Sequence, residues 1–258
     1  MSKFVLVSRI FVACMCIAFA ADMVFGIPRV FYVTLIILYV LFLLYGSFVL
    51  QGQVFVKADY RIQTDQRIVA LTFDDGPDET RTPELLDVLS RHEVKAAFFC
   101  IGKAVERHPG IIQRIDAEGH LLGLHSYGHS YWYDFKPSAV VLADIRHNAE
   151  VIRRITGKDP RWFRPPYGVT NPSIARAVQL GDLQVIGWSV RSFDTIRRSA
   201  AAIVRSVLRS VKPGAVVLLH DSLDRTPQVA DELIRALKQD AYRFERLDKM
   251  IGGKPYRT

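Results

Sequence analysis

Two adjacent carboxylates, Asp74 and Asp75, end an apolar run and are followed at once by Gly76-Pro77. Such a run closed by a Gly-Pro turn signal reads as a buried strand entering a loop. Side chains alternate across a strand, so the two aspartates share one site only if the backbone turns between or just after them. That turn would give them different jobs. Carboxylate pairs favour acid–base chemistry or metal binding; the alternative is an Asp-rich turn with Asp75 capping the next helix. His125 and His129 are spaced i, i+4, so a helical turn would put both imidazoles on one side, within reach of one ion. With a carboxylate they form a His-His-Asp set with a coordination position left open, the pattern of a catalytic zinc site. Surface histidines on a loop remain the plain alternative, since short metal patterns match by chance.

Three further stretches carry polar chemistry. In Arg164-Pro165-Pro166-Tyr167-Gly168 two prolines stiffen the backbone and a glycine releases it. A turn of this kind either holds a main-chain N–H at a developing oxyanion or is simply a loop. Arg164, at a strand end, would be costly to bury without an anion, and Asp74 is the candidate. In the run 216–221, alternation puts Leu218 and His220 on one face, which suits a small apolar acyl pocket beside a general acid. Asp221 could equally cap a helix. Asp194 follows the preceding strand. His92, His108, His120 and His147 lie on helices or loops away from strand ends and are read as solvated.

These residues need elements to position them. Strand-like segments at 68–73, 96–101, 121–125, 161–164, 184–188, 215–220 and 242–247 alternate with helical patterns at 83–92, 104–118, 138–156, 172–180, 199–211 and 227–239. Thr82 is expected to cap the first of these helices with Pro83 at its first position. Strict βα alternation predicts a parallel sheet. About seven strands suit either an open doubly wound sheet or a distorted, incomplete (β/α) barrel, and periodicity leaves both open. Every polar cluster falls on the carboxyl side of its strand, where such folds assemble one site from several loops.

The composition adds a membrane. Half the residues are hydrophobic, and the apolar surplus lies at the front. Residues 30–50 contain no charge and are long enough to cross a bilayer core. Residues 10–25 are a weaker second candidate, either the first span of a hairpin or a signal-like segment. The chain is thus expected to divide into a membrane anchor at 1–52, a short polar connection at 53–66 and a catalytic domain at 67–258. A net charge of +8 favours anionic partners, but no nucleic-acid motif accompanies it. Cys14 and Cys16 lie in the apolar N-terminus, which leaves Cys100 alone and excludes a disulfide framework in the remainder.

From residue 67 to residue 247 the sequence resembles the polysaccharide deacetylase family, carbohydrate esterase family 4 with its NodB-type domain. The resemblance rests on five ordered motifs, of which Thr72-Phe73-Asp74-Asp75-Gly76-Pro77 and His125-Ser126-x-x-His129 are the most specific. It implies a distorted (β/α) barrel, a divalent metal (usually zinc) on Asp75, His125 and His129, and Asp74 as general base. It further implies that Arg164 orients Asp74, that the Tyr167 main-chain N–H after Pro166 contributes to an oxyanion hole, and that Leu218 and His220 supply the acyl pocket and the acid. One motif departs. Where the family has two aspartates three apart and then tryptophan, this chain has Arg191, Asp194 and Thr195, so an aromatic pocket wall is either missing or supplied from elsewhere. Arg191, Arg197 and Arg198 would bring positive charge near the pocket, in keeping with an anionic feature on the substrate, or else form an exposed helix start.

The resemblance implies hydrolysis of a small N-acyl group, most simply N-acetyl, from an amino sugar in a glycan. Asp194, if paired with His220, would favour its protonated state. An O-acetyl esterase, a deacylase of a lipid-linked amino sugar and a non-catalytic sugar-binding module are the other readings; the last has no need of base, acid and three ligands together. Oligomeric state is not legible. With a single span the catalytic domain of a bacterial inner-membrane protein faces outward; a hairpin leaves only Arg29 in the outer loop and puts Lys3, Arg9, Lys57, Arg61 and Arg67 inside, which the positive-inside rule slightly prefers.

Overall fold

The structure, a computed structural model, describes residues 2–197 and 199–257. Its helices are α1 (Lys3–Phe25), α2 (Arg29–Phe48), α3 (Arg81–Arg91), α4 (Gly102–Arg107), α5 (Pro109–Ala117), α6 (Ser138–Thr156), α7 (Pro172–Leu180), α8 (Ala200–Ser210), α9 (Thr226–Gln239) and α10 (Leu247–Ile251). The strands are β1 (Ala58–Asp59), β2 (Ile68–Asp74), β3 (Ala97–Cys100), β4 (Leu121–Leu124), β5 (Asp159–Pro160), β6 (Trp162–Phe163), β7 (Gln184–Ile186), β8 (Val190–Arg191), β9 (Ala215–His220), β10 (Arg243–Phe244) and β11 (Tyr256–Arg257).

One parallel sheet organises the domain, in the order β1-β7-β6-β4-β3-β2-β9-β8, with β10 pairing the start of β2. One stretch of chain serves both ends of this order: β7, next to the edge strand β1, and β8, the opposite edge, are separated only by residues 187–189. The sheet must therefore curl round, which makes it the distorted barrel rather than the open sheet. All seven expected strands are present, most of them shorter at their ends, and β1 and β8 are additions too short to carry a periodic signal.

The pleat divides β2 into two faces. Val69, Leu71 and Phe73 join the outer core beneath the helices, whereas Ile68 and Ala70 join an inner cluster with Ala97, Phe99, Leu121, Trp162, Ile186 and Val216. Leu247 and Met250 of α10 close that inner cluster from below. Thr72 and Asp74 continue the inner face upward, so the barrel is apolar at its base and charged at its carboxyl end. Burying an aliphatic or aromatic side chain of this kind stabilises by about 1.5–3 kcal/mol. Among the outer helices, α6 shows the expected spacing: Val141, Ile145, Ala149 and Ile152 are buried, and Gly157, at φ 73°, ends it.

Several local expectations need correction. Thr82 does not cap α3: the helix starts at Arg81, and the Thr82 hydroxyl is buried, donating to Asp221 Oδ2 at 2.9 Å. Asp221 is likewise no helix cap, since α9 begins at Thr226. His120 is not solvated. It is buried, accepts the Ala96 N–H on Nδ1 at 3.1 Å, and is held down at about 4 by burial and by Lys95. His92 is half-buried against Asp231.

The segment after α2 is not a polar connection. Leu50, Val54, Phe55, Val56 and Ala58 are buried, and β1 pairs with β7. At the front, α1 and α2 form an antiparallel hairpin in which Phe11 stacks on Tyr39 at 4.2 Å and Ser8 bonds Tyr39 at 2.8 Å. Both helices are long and apolar enough to cross a membrane. Most of their large apolar side chains are exposed.

Candidate active site

Asp74 is the last residue of β2 and points into the upper barrel, almost wholly buried. Asp75 then takes a left-handed conformation, φ 75°, which turns the chain and brings its carboxylate to the same cavity as Asp74. Ser126, His129, Tyr167 and Phe193 are also left-handed. Non-glycine residues held there cost of order 1–3 kcal/mol each and persist only where their surroundings enforce them.

Arg164 shows that enforcement. It is fully buried, and its guanidinium donates to Asp74 Oδ1 at 2.7 Å, Thr72 Oγ1 at 2.9 Å, Ile186 O at 3.1 Å and Gly187 O at 3.0 Å. Its charge also lies 4.0 Å from the centre of the Phe99 ring. Burial pushes the Arg164 pKa down, and Asp74 opposes that. One side chain thus links β2, β6 and β7 across the barrel and fixes the orientation of Asp74.

The two histidines meet without a helix. His125 directly follows β4, Ser126 reverses the backbone, and the Ser126 hydroxyl accepts the His129 N–H at 2.9 Å. The loop therefore replaces the expected helical turn. His125 Nε2 and His129 Nε2 lie 3.3 and 3.4 Å from Asp75 Oδ1, and one ligand atom from each residue falls within 4.8 Å of the others. Ligands about 2.0–2.2 Å from a tetrahedral zinc are separated by roughly 3.3–3.5 Å, so the set fits such an ion. His125 Nδ1 is paired with the Arg164 carbonyl at 2.8 Å, which leaves Nε2 as the ring nitrogen available to an ion. Burial opposes charge on both imidazoles; nearby Asp74 and Asp75 overcome it at His125 and raise its pKa, while His129 stays lowered. The negative field that favours a proton here favours a cation equally. Burial works against ionisation of Asp75, but His125 and its neighbours hold its carboxyl down at about 2.

Across the cavity, His220 is clamped by Asp194. Oδ1 of Asp194 bonds His220 Nδ1 at 2.8 Å, and Oδ2 accepts the His220 main-chain N–H at 2.8 Å. Burial alone would lower the His220 pKa; Asp194, with Asp74 and Asp75 beyond it, brings it up to about 9. Asp221 lies behind, pushed up to about 7 by burial, with Oδ1 unpartnered among the described residues. Its carboxylate fills the space that a side chain on Gly76 would need, 2.0 Å from the Cβ position.

Asp74, Asp75, His125, His129, Tyr167, Leu218 and His220 line one cavity of about 240 Å³. Arg164 and Asp194 stand behind it, and Pro166 is buried beneath Tyr167. One wall residue escaped the sequence reading. Trp188, just past β7, lies against Gly168, where a Cβ would meet the indole at 2.4 Å, so the aromatic wall comes from this tryptophan. Thr195, where the family has tryptophan, lines the cavity as well. The location of Trp188 at a strand's carboxyl end was the available signal. Arg191 also lines the cavity, 5.4 Å from the Phe193 ring and with no ion-pair partner among the described residues; Arg197 lies over the same ring at 5.5 Å. Arg198 lies outside the described residues.

Comparison with known proteins agrees with this geometry. A polysaccharide deacetylase family profile matches residues 61–186. The peptidoglycan-N-acetylglucosamine deacetylase PgdA of Listeria monocytogenes is 37% identical over 186 residues, covering 72% of this chain and 39% of that protein, so this chain spans well under half of its length. A chitooligosaccharide deacetylase of Bradyrhizobium is 35% identical over 199 residues, 71% of this chain and 90% of the relative. The crystal structure of the Bc1960 peptidoglycan N-acetylglucosamine deacetylase superposes with a TM-score of 0.72 at 33% identity, covering 78% of this chain and 95% of that one.

Asp75→Asn and His129→Ala should each lower the zinc retained after dialysis, read by elemental analysis; wild-type metal content in both variants contradicts the ligand set. Arg164→Ala leaves Asp74 buried and unpaired, so it should destabilise by about 3–5 kcal/mol in denaturant unfolding, part of which the added substitution Asp74→Asn should restore. A wild-type midpoint for Arg164→Ala contradicts the pairing.

Proposed function

The chain belongs to the polysaccharide deacetylase family, and from that premise we propose that it is a membrane-anchored, zinc-dependent hydrolase that removes N-acetyl from an amino sugar. Residues 67–258 are the catalytic unit, with the segment 50–59 packed into it, and the hairpin of α1 and α2 is the anchor. The observation that carries the proposal is the convergence of a base, an acid and a three-ligand set on one small cavity.

Asp75, His125 and His129 would hold the ion, which when bound polarises an acyl carbonyl and lowers the pKa of water. Asp74 accepts the proton of the attacking water, aimed by its ion pair with Arg164. The Tyr167 main-chain N–H, presented by the left-handed turn between Pro166 and Gly168, faces the developing oxyanion. Leu218 and Trp188 enclose the acyl methyl. His220 delivers a proton to the departing nitrogen, with Asp194 holding its tautomer and its charge. This arrangement favours an amide over an ester. An amine leaves only when protonated, and a histidine that keeps its proton to about pH 9 meets that need. A sugar-binding module would require no such clamp.

The helical hairpin supports anchoring with both of its ends on the catalytic side. Lys3 Nζ donates to Gly52 O at 2.8 Å and the Phe4 ring lies 5.1 Å from Phe55, so α1 packs on the catalytic domain as a detachable leader would not. The positive-inside rule then favours the cytoplasmic side for that domain. Arg191, at the cavity wall with no ion-pair partner among the described residues, favours a substrate with an anionic group near the acetamido sugar, as in a phosphate-linked lipid.

Asp74→Asn should keep its zinc and lose on the order of a hundredfold or more in kcat on chitooligosaccharides, the scale of a general base, and His220→Ala should do likewise. Because the acid must be protonated, activity should hold below the His220 pKa and fall above it; Asp194→Asn should move that alkaline fall to lower pH. Near-normal turnover in both single variants, or an unmoved alkaline limb, contradicts the assigned roles. A periplasm-active reporter fused after Thr258 should stay silent; strong extracytoplasmic signal contradicts the hairpin topology.

A further inference from the structure

The hairpin meets the domain without a flexible linker. Its second helix ends on the loop that follows the Tyr167 turn: Thr170 N–H donates to Ser47 O and its hydroxyl to Gly46 O, both at 3.0 Å. Gly46 is packed so closely that a Cβ there would lie 2.7 Å from Val54. Gln51 Nε2 reaches the carbonyl of Trp188, a cavity wall, at 2.8 Å. Wherever the hairpin enters a bilayer, the mouth of the cavity is held close by.

The same loop pins a second surface. Asn171 Nδ2 donates to Asp134 O at 2.5 Å and Ser173 Oγ to Lys136 O at 2.6 Å, so the 170–173 loop that holds the end of α2 also holds the segment 131–135. This segment begins two residues after His129 and exposes three large aromatic side chains: Tyr131 at 76%, Trp132 at 64% and Phe135 at 80%. Tyr133, between them, is fully buried and roots the loop. An exposed aromatic cluster of this size needs a partner.

We infer that Tyr131, Trp132 and Phe135 are a membrane-interface foot that inserts beside the hairpin and holds the cavity mouth against the lipid surface. The inference rests on the anchoring reading above. Three observations favour a bilayer over a glycan or a second copy of the chain. The foot is continuous, through Asn171 and Thr170, with the only long apolar helices among the described residues. Tyr and Trp belong at the headgroup level, where an apolar ring and a polar edge are both satisfied. Lys57 and Arg176 line the groove at the hairpin base with Phe4 and Val5, so cations stand where anionic headgroups lie. Sugar stacking fits less well. The rings meet at 89° and 60°, and they present no common plane to a pyranose face. A foot in this place selects substrates delivered from the membrane, an amino sugar on a lipid carrier rather than a free oligosaccharide.

The test reconstitutes the full-length protein into phosphatidylcholine–phosphatidylglycerol vesicles whose acyl chains are brominated near the headgroups, and compares its fluorescence with that of Trp132→Phe. The other two tryptophans, Trp162 and Trp188, are buried, so the difference reports Trp132. Its emission should be quenched by the brominated lipid and shielded from aqueous acrylamide. Full acrylamide quenching with no effect of bromine, in protein that still floats with the vesicles, overturns the inference and leaves anchoring intact. Failure to float overturns both. In a second arm, the variant Y131S/W132S/F135S should lose severalfold in kcat/KM on an N-acetylglucosaminyl lipid in vesicles and keep its rate on a soluble chitooligosaccharide. Equal losses on both would mean that the rings hold sugar, and would overturn the inference.

Discussion

A guanidinium with no access to water must find an anion and a full set of acceptors, and Arg164 finds them across the top of the barrel. Asp74 supplies the anion, Thr72 a hydroxyl, and the ends of β7 two carbonyls. None of these partners is optional, because a buried charge left unpaired costs several kcal/mol. Meeting the demand ties β2 to β6 and β7 at the carboxyl end of the sheet. It also fixes one carboxylate oxygen of Asp74, and the Arg164 carbonyl fixes His125 through Nδ1. A single ion pair therefore orders both halves of the site, the base and the ligand set.

The barrel can tolerate this because its interior is layered. Apolar side chains, sealed by α10, fill the base, and polar groups are confined to the rim, where loops can satisfy them. At the rim the backbone is bent locally: Asp75, Ser126, His129, Tyr167 and Phe193 all sit at positive φ. Asp75, His129 and Tyr167 line the cavity as a result. The resulting strain is spread over loops held by hydrogen bonds such as that between Ser126 and His129.

Much of this was legible beforehand, for identifiable reasons. Strands such as 215–220 and helices such as 138–156 carry long, clean periodic signals, and polar residues at strand ends pointed to one site. Residues that act through contact across the fold were harder to read. His120 looks like any loop histidine until the Ala96 N–H is found on its ring. Thr82 has the chemistry of a cap and the position of a buried partner for Asp221. The pairing of His125 with His129 was correct in outcome and wrong in cause, since spacing cannot tell a helical turn from a loop reversed at Ser126. The strap through Val54 and Phe55 was misread because its apolar run is too short to show a period.

What the geometry brings together is Asp74 on one side of the Asp75, His125 and His129 cluster and His220 on the other, enclosed by Trp188 and Leu218, with the helical hairpin packed directly against the loop beside the cavity. The central claim is that water, deprotonated by Asp74, attacks an N-acyl carbon. The most direct measurement is to incubate the zinc-loaded protein with an N-acetylated chitooligosaccharide in water enriched in heavy oxygen and to analyse both products by mass spectrometry. Acetate bearing one heavy oxygen, together with a sugar that has gained a free amine, is the predicted result. An unchanged sugar, or acetate released only from O-acetylated substrates, would contradict the account.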